Sequence, residues 1–370
     1  MWPLYGSLQK LTPRYTAFIS LQATASHLPP RGDTQNTITR YQPHHSPISF
    51  LFAALLYLMK RNDFLKIAGL ATVAGATMKL SALKAFTNEP DTARMPVLFV
   101  GHGSPMNAIE ENTFTQGMKA VAAQITKPTA ILMVSAHWET RGTFLTAQEQ
   151  PPTIHDFGGF PQALFDVQYP AKGSTWLAGE AQQTVTKTKV GLSSEWGLDH
   201  GCWSVAKNMW PDADVPIVQL SLDYTQGATY HLELAKELAT LRTKGILIIG
   251  SGNMVHNLGL IQMKDGDINA PYATDWALEA DAKFKELINK EDYATLANYK
   301  SLGKAVQLAV PTPEHFLPLL YALALKEKTD TLSYFNDTAI AGSLTMTSLF
   351  IKPEVKTEVT EPVDTTATKG

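Results

Sequence analysis

PVLFVGHG, residues 96–103, joins an apolar run to a turn of small residues that carries a histidine. The same pattern recurs at AILMVSAH (residues 130–137) and, with a longer turn, at ILIIGSGNMVH (residues 246–256). Short apolar runs without polar alternation are typical of strands buried on both faces of a sheet. The sequence therefore predicts three buried strands, each followed by a histidine, at residues 96–100, 130–134 and 246–249.

Helical patterns lie between these strands. HLELAKELATL (residues 231–241) and WALEADAKFKELI (residues 276–288) repeat apolar residues at helical spacing, and IVQL (residues 217–220) is a fourth, weaker strand candidate. This alternation predicts an α/β fold, a single domain whose central sheet, largely parallel or mixed, is flanked by helices. Open α/β sheets bind ligands beyond the carboxyl ends of their strands, so we expect the three histidines to converge there.

The composition limits the kinds of protein and site that remain. The 370 residues include 31 Lys and Arg against 34 Asp and Glu, a formal net charge of -3, whereas a nucleic-acid-binding protein needs a basic surface to neutralise phosphates. Cys202 is the single cysteine, which excludes an internal disulfide framework and a cysteine-built zinc site. Any metal must therefore be held by some of the ten histidines and by carboxylates.

The two ends of the chain are predicted to lie outside the folded domain. Residues 1–94 are interpreted as a leader, in which residues 1–58 come from an upstream start and residues 59–86 resemble an export signal, with a basic head before an Ala/Gly-rich apolar stretch. The alternative interpretation of the signal-like segment is an amphipathic helix packed on the domain. Residues 353–370 carry almost no large apolar side chains and are predicted to be a disordered tail. The folded unit is expected at residues 95–352, without a stable membrane span.

Five histidines are candidates for a functional site. His102 and His137 each follow a buried strand through small residues, which favours a role as ligands. His256 follows the third strand, His200 stands beside an acid in GLDHGCW, and His315 stands in a proline-stiffened entry to an apolar helix. For these last three, the local pattern leaves both a functional role and ordinary packing open.

Four further histidines are interpreted as ordinary surface or hydrogen-bonded core residues. This interpretation applies to His231, which lies inside an amphipathic helix, and to the leader histidines His27, His44 and His45. The sequence contains no HExxH, P-loop or Gly-x-Ser-x-Gly motif, so the commoner hydrolase and nucleotide-binding interpretations lack their signatures.

Seven segments follow one another in the order of a known enzyme family: GHGSPM (101–106), SAHWE (135–139), IHDFGGFP (154–161), YPA (169–171), LDHGCW (198–203), GSGNMVHNL (250–258) and PTPEHFLPLLY (311–321). Together they resemble the class III, LigB-type extradiol ring-cleavage dioxygenases, specifically the 4,5-DOPA extradiol dioxygenase branch. The resemblance covers about residues 95–352. It implies a metal-dependent oxidoreductase that opens a catechol such as DOPA beside its two hydroxyls, inserting both atoms of O₂.

The resemblance also implies the members of the site. His102, His137 and His315 match the metal ligands of the family. His256 matches a histidine treated either as a catalytic acid/base or as a further metal ligand, and His200 matches a catalytic-site histidine near oxygen and substrate. The implied cofactor is Fe(II) or Zn(II), one ion per subunit, and the implied partners are a small catechol and O₂. The family location is cytoplasmic, or periplasmic if the signal-like segment is functional; the oligomeric state stays open.

One segment departs from the plant members of the branch. After the histidine they carry a proline and a short acidic-Thr-Pro motif, whereas this chain continues with Asn257-Leu258-Gly259. The identity of the physiological catechol therefore stays open, while the metal site is unaffected.

The chemistry of ring cleavage fits these residue types. Catechol takes two metal positions and O₂ takes one, so three protein ligands on one face of an octahedron leave enough room. Glu314 is the acidic neighbour that a 2-His-1-carboxylate site would use in place of His315, and an all-histidine shell also suits a catalytic zinc. Imidazole titrates near neutral pH, which makes His256 the candidate acid/base, while His200 is expected to be oriented by Asp199.

Four aromatic residues near these motifs are interpreted in two ways. They offer flat apolar walls for a bound ring, or they are plain core packing: Trp138, Phe157, Phe160 and Trp203. Two other functions use the same histidines. One is a zinc-dependent hydrolase acting through a metal-bound hydroxide, and the other is a non-catalytic protein with a closed structural zinc.

Overall fold

The computed structural model describes residues 94–354. The signal-like segment, the leader histidines and the predicted tail from residue 355 onward lie outside the described residues. In chain order, the strands are β1 (Val97–Gly101), β2 (Ala130–Ser135), β3 (Glu139–Thr140), β4 (Thr143–Thr146), β5 (Val190–Ser193), β6 (Ile217–Gln219), β7 (Leu222–Asp223), β8 (Ile246–Gly252), β9 (Thr331–Phe335), β10 (Ala339–Ile340), β11 (Leu344–Thr345) and β12 (Ser348–Lys352). The helices are α1 (Thr113–Ala122), α2 (Gln162–Phe165), α3 (Thr175–Thr184), α4 (His200–Met209), α5 (Ala228–Glu237), α6 (Asp275–Asn289), α7 (Tyr293–Ala297), α8 (Lys304–Ala309) and α9 (Leu317–Ala324).

A six-stranded mixed sheet forms the centre of the described region, with strand order β6-β2-β8-β1-β12-β9. Strands β6, β2, β8 and β1 are parallel to one another, while β12 runs antiparallel to both β1 and β9. The predicted α/β fold with a mixed sheet is confirmed. Among the helices of residues 94–354, none has the length and apolarity that crossing a membrane would require.

The apolar runs in β1, β2 and β8 are continuous because both faces of the sheet are covered. Val97 and Phe99 belong to the hydrophobic cluster on one face, and Leu98 and Val100 belong to the cluster on the other. Helix α9 packs into the first cluster and α4 into the second. Each fully buried large apolar side chain contributes about 1.5–3 kcal/mol relative to exposure, so these three strands are the main anchor of the fold.

The antiparallel strands β9 and β12 are not among the predicted strands. Strand β9 lies at the edge of the sheet with its side chains half-buried or exposed, so it lacks a continuous apolar run. Strand β12 begins with Ser348, whose hydroxyl accepts a hydrogen bond from the backbone N–H of Gly101 at 2.9 Å. A polar residue at this position serves a contact with β1 that only the folded chain creates.

The two predicted helices are present with shifted ends. The helix expected at residues 276–288 is α6, Asp275–Asn289. The helix expected at 231–241 begins earlier, as α5, and changes at Leu238–Lys244 into a 3-10 helix. Gly245 ends it with a φ of 73°, a left-handed conformation that glycine adopts without steric cost, and the chain turns there into β8.

Candidate metal centre

His102 is held at the carboxyl end of β1 with a defined tautomer. Its Nδ1 atom lies 3.0 Å from the hydroxyl of Ser251, which itself donates to the carbonyl of Gly201 at 2.6 Å. Because that bond uses the single hydroxyl proton of Ser251, the hydroxyl oxygen accepts from His102, and Nδ1 carries the ring proton. The Nε2 atom of this buried ring therefore presents a free lone pair.

His137 follows β2 and faces His102. The Nε2 atoms of the two rings are 3.1 Å apart, and Nδ1 of His137 lies 3.3 Å from Oδ2 of Asp156. A carboxylate beside Nδ1 favours the tautomer of His137 that is protonated there, and in that tautomer the Nε2 lone pairs of the two rings face each other. Metal–nitrogen bonds of about 2.1 Å separate two ligand nitrogens by about 3.0 Å at a right angle and about 3.4 Å at a tetrahedral angle. The observed separation therefore suits two ligands of one metal ion.

His315 and His256 form the other side of the cluster. The ring centroid of His315 lies 5.3 Å from that of His102 and 5.0 Å from that of His137. The His256 ring stacks on His315 with centroids 3.5 Å apart and planes inclined by 8°. The ligand atoms of His256, Glu314 and His315 lie within 4.8 Å of one another, and so do those of His102, His137 and His200. Oε1 of Glu314 is 3.1 Å from Nδ1 of His315. The turn before α9 thus brings a third imidazole to the pair at the ends of β1 and β2.

His200 also joins the cluster, at the first residue of α4. Its ring centroid is 3.9 Å from that of His137, and its Nδ1 atom lies 3.0 Å from Oδ2 of Asp156. The prediction that Asp199 orients His200 is wrong. Asp199 is the N-cap of α4, and its carboxylate accepts hydrogen bonds from the backbone N–H of Cys202 and from the side chains of Ser135 and Trp196. A capping side chain turns back to the free N–H groups of the first turn, which leaves the contact with His200 to Asp156.

The electrostatics of the cluster favour neutral imidazoles. Burial, reinforced by the neighbouring imidazoles, holds the pKa of His102, His137 and His315 well below the usual range. Burial and His200 together lower the pKa of His256 to about 4. Burial alone would raise the pKa of Asp156, but hydrogen bonds and charge interactions with His200 and His137 bring it to about 2. Neutral histidines with lone pairs, with the carboxylates of Asp156 and Glu314 nearby, are a donor set that fits Fe(II) or Zn(II).

The four aromatic residues divide between core and site. Trp203 is fully buried and donates its indole N–H to the carbonyl of Ile154 at 2.8 Å, while Trp138 is buried against Trp196 with parallel rings 6.1 Å apart. Both are therefore core packing. Phe157 is half-buried and meets the His200 ring edge-on at 5.6 Å, with Phe160 against it at 5.4 Å. Of the four, Phe157 contacts the histidine cluster, and Phe160 packs against Phe157.

Two acidic residues near the cluster, Asp156 and Glu139, are not among the site residues predicted from the sequence. Asp156 lies within the segment at residues 154–161, but nothing local connects it to His137 or His200. Glu139, at the start of β3, keeps part of its surface exposed; burial of its carboxyl and the charge of Glu314 raise its pKa to about 7. Their roles become visible only when distant segments are brought together.

His231 has the ordinary role predicted for it. The ring is buried, with Nδ1 3.0 Å from the hydroxyl of Tyr321 and Nε2 3.3 Å from the carbonyl oxygen of Asp223. Burial lowers its pKa to about 4. It is a hydrogen-bonded core residue outside the histidine cluster.

Comparison with known proteins identifies the class. The family described as the catalytic LigB subunit of aromatic ring-opening dioxygenase matches residues 95–341, and the chain belongs to this family. It is 44% identical over 261 residues to a 4,5-DOPA dioxygenase extradiol of Escherichia coli (strain K12), covering 70% of this chain and 96% of that protein. A 4,5-DOPA dioxygenase extradiol of Beta vulgaris is 35% identical over 233 residues, covering 61% of this chain and 84% of that protein.

A solved structure is similar as well. The crystal structure of an uncharacterized protein from Escherichia coli K12 matches with a TM-score of 0.59 and 38% sequence identity, covering 70% of this chain and 100% of that one. The resemblance inferred from the seven segments is confirmed. The protein is an extradiol aromatic ring-opening dioxygenase, metal-dependent like its family, with a small-molecule substrate and O₂ as reactants.

Proposed function

We propose that this dioxygenase cleaves a catechol such as DOPA at the 4,5 position, using one Fe(II) ion held by His102, His137 and His315. The observation that carries the ligand assignment is the 3.1 Å separation of the Nε2 atoms of His102 and His137, whose Nδ1 atoms lie against Ser251 and Asp156 respectively. The substrate assignment is supported by the relatives named 4,5-DOPA dioxygenase extradiol. Zn(II) suits the same donors, so the assay below compares the two ions.

The ligand arrangement suits ring cleavage. When bound, Fe(II) supplies a centre that takes the catechol oxygens and O₂ together and passes electrons between them. His102 and His315 are buried, whereas His137 and His256 are partly exposed, so the cluster is reached from one side. Two of the three ligands, His102 and His315, are on the buried side, and the partly exposed edge at His137 is left for substrate.

Two further histidines supply the proton chemistry in this proposal. A catechol loses a hydroxyl proton when it binds, and a neutral imidazole has a lone pair that can accept it. His256 is our candidate for this acceptor, because its ring lies parallel to His315 at the partly exposed edge of the cluster. His200 lies against His137 and contacts Phe157, so it is our candidate for contact with oxygen and the ring.

Phe157 and Phe160 are proposed as the apolar wall for the catechol ring. Their rings meet edge-to-face, and Phe157 stands edge-on to His200. Beside His256, Asn257 is fixed by donating its side-chain amide to the carbonyl of Leu308 at 2.7 Å, and Leu258 is 61% exposed. This segment is where the chain departs from the plant motif, and we propose that it selects among catechol substituents.

The test is an oxygen-uptake assay on the full chain loaded anaerobically with Fe(II). We expect O₂ consumption in equal amount to the catechol added, formation of a yellow ring-opened product, and a preference among DOPA, catechol and alkylated catechols. The matched control is His137→Ala, which should lose both metal and activity. Activity of the zinc-loaded protein without O₂ uptake would contradict the proposal and favour the hydrolase.

A further inference from the structure

Asp156 contacts two of the clustered imidazoles through a single oxygen. Its Oδ2 atom lies 3.0 Å from Nδ1 of His200 and 3.3 Å from Nδ1 of His137. Its other oxygen, Oδ1, accepts the backbone N–H of His200 at 2.8 Å. Both Nδ1 atoms therefore lie at ion-pair distance from the same carboxylate oxygen, and Nδ1 of His200 is buried without a hydrogen bond to any other group.

The segment that carries Asp156 is fixed on both sides. Ile154 donates its N–H to the carbonyl of Leu198 at 2.7 Å, and its own carbonyl accepts the indole N–H of Trp203 at 2.8 Å. His155 donates from Nε2 to the carbonyl of Val167 at 2.9 Å. Because Trp203 lies in the buried core, the backbone that precedes Asp156 is held to that core.

We infer that Asp156 is a positioning residue that sets the tautomer and the orientation of both His137 and His200. A neutral imidazole carries its proton on either ring nitrogen, and only the tautomer with the proton on Nδ1 leaves Nε2 free to bind a metal. One carboxylate thereby links metal binding at His137 to the orientation of the His200 ring in the site. The role assigned to His200 rests on the proposed function, whereas the effect on metal binding does not.

Asp156 also has a structural contact, and the variant must separate the two roles. In Asp156→Asn the amide oxygen can still accept the N–H of His200, which preserves the link to the start of α4. The amide nitrogen then faces two ring N–H groups, so the acceptor for both imidazoles is lost. Asp212→Asn is the matched control, because Asp212 is exposed and its substitution changes the charge equally.

The first measurement is zinc affinity of the full chain, by competition with a chromogenic chelator. We expect Asp156→Asn to bind zinc about 10–100-fold more weakly, the usual cost of removing a partner that orients a ligand, while Asp212→Asn binds as the wild type does. Wild-type affinity in Asp156→Asn would overturn the inference. The melting temperature shows whether the variant retains its fold.

The second measurement begins with the wild-type chain, so its first result does not depend on whether a variant folds. Nitrogen-15 NMR of the histidine rings in the metal-free wild-type chain should show the Nδ1–H tautomer for His137 and His200, and Asp156→Asn should shift both toward Nε2–H. An Nε2–H tautomer at His137 in the wild type would refute the inference. In the Fe(II)-loaded Asp156→Asn variant, kcat should fall by a larger factor than KM changes, relative to the wild type. If the wild type consumes no O₂ with any catechol, the proposed function fails while zinc affinity and tautomers still decide on Asp156.

Discussion

A single carbon added at Gly252 tests whether the end of β8 sets the position of His315. A β-carbon on Gly252 would lie 2.2 Å from the carbonyl oxygen of His315, where ordinary contact begins at 3.4 Å. The same carbonyl accepts the N–H of Asn253 at 2.9 Å, so it cannot withdraw without losing that hydrogen bond. Gly252→Ala must therefore move the backbone of His315, or the end of β8, by about 1 Å.

A displacement of this size has a large expected effect on the site. Misplacing a catalytic group by about 1 Å costs about 10²-fold in rate, and overpacking a buried position costs about 1–3 kcal/mol of folding free energy. We expect Gly252→Ala to bind metal more weakly, to lose about 10²-fold in kcat/KM, and to melt at a lower temperature. Chelator competition, O₂ uptake and thermal denaturation measure the three effects.

The control is Gly179→Ala in α3, where an added β-carbon meets no heavy atom within 4 Å. Alanine is favoured over glycine within a helix by about 0.5–1 kcal/mol, so this variant should be slightly more stable with unchanged metal binding. Wild-type metal affinity and turnover in Gly252→Ala would refute the reasoning, since they would show that the His315 ring does not depend on this close approach.

Three further predictions concern proton transfer, pH and chain length. His256→Ala should retain Fe(II) and bind catechol while kcat falls about 10²–10⁴-fold; loss of metal, measured by elemental analysis, would make His256 a ligand instead. His231 has a folded pKa of about 4, below the usual 6.5, so its contribution to stability is complete above pH 6.5 and is lost as the pH falls toward 4, by about 3 kcal/mol at most. Urea unfolding at pH 7 and pH 4.5 should show a smaller loss for His231→Gln than for the wild type, and equal losses would contradict this assignment. A chain shortened to residues 95–352 should fold and bind metal as the full chain does, measured by circular dichroism and chelator competition; an insoluble product would show that the leader is structural.

The local sequence pattern was sufficient to predict a strand where every residue of the strand is buried. The runs that form β1, β2 and β8 are apolar throughout because both faces of each strand are covered. Such a run predicts a buried strand even when the segments that pack against it are unknown. Helix α6 was predicted to within a residue at each end for a similar reason, since its apolar spacing is a property of its own segment. The edge strand β9 has no such run and was missed.

The order of strands and turns also indicated which histidines would share a region. Parallel strands bring their carboxyl ends to one edge, so residues that follow β1, β2 and β8 must lie near each other once the strands pair. The sequence could not assign partners within that region. Asp199 is the neighbour of His200 in the chain, yet it caps α4, and Asp156 makes the contact from a segment more than forty residues away.

Sequence alone thus determined the sheet's buried strands, the α/β class, the family and the histidines at the strand ends, because each of these depends on residues close together in the chain. Tertiary structure decided the tautomers of His102 and His137, the partner of His200, and which aromatic rings border the cluster. These features depend on hydrogen bonds and contacts between segments far apart in the chain, such as Ser251 with Gly201 and Asp156 with His137. The direction of a side chain at such a junction is set by the packing of both segments, which no local pattern contains.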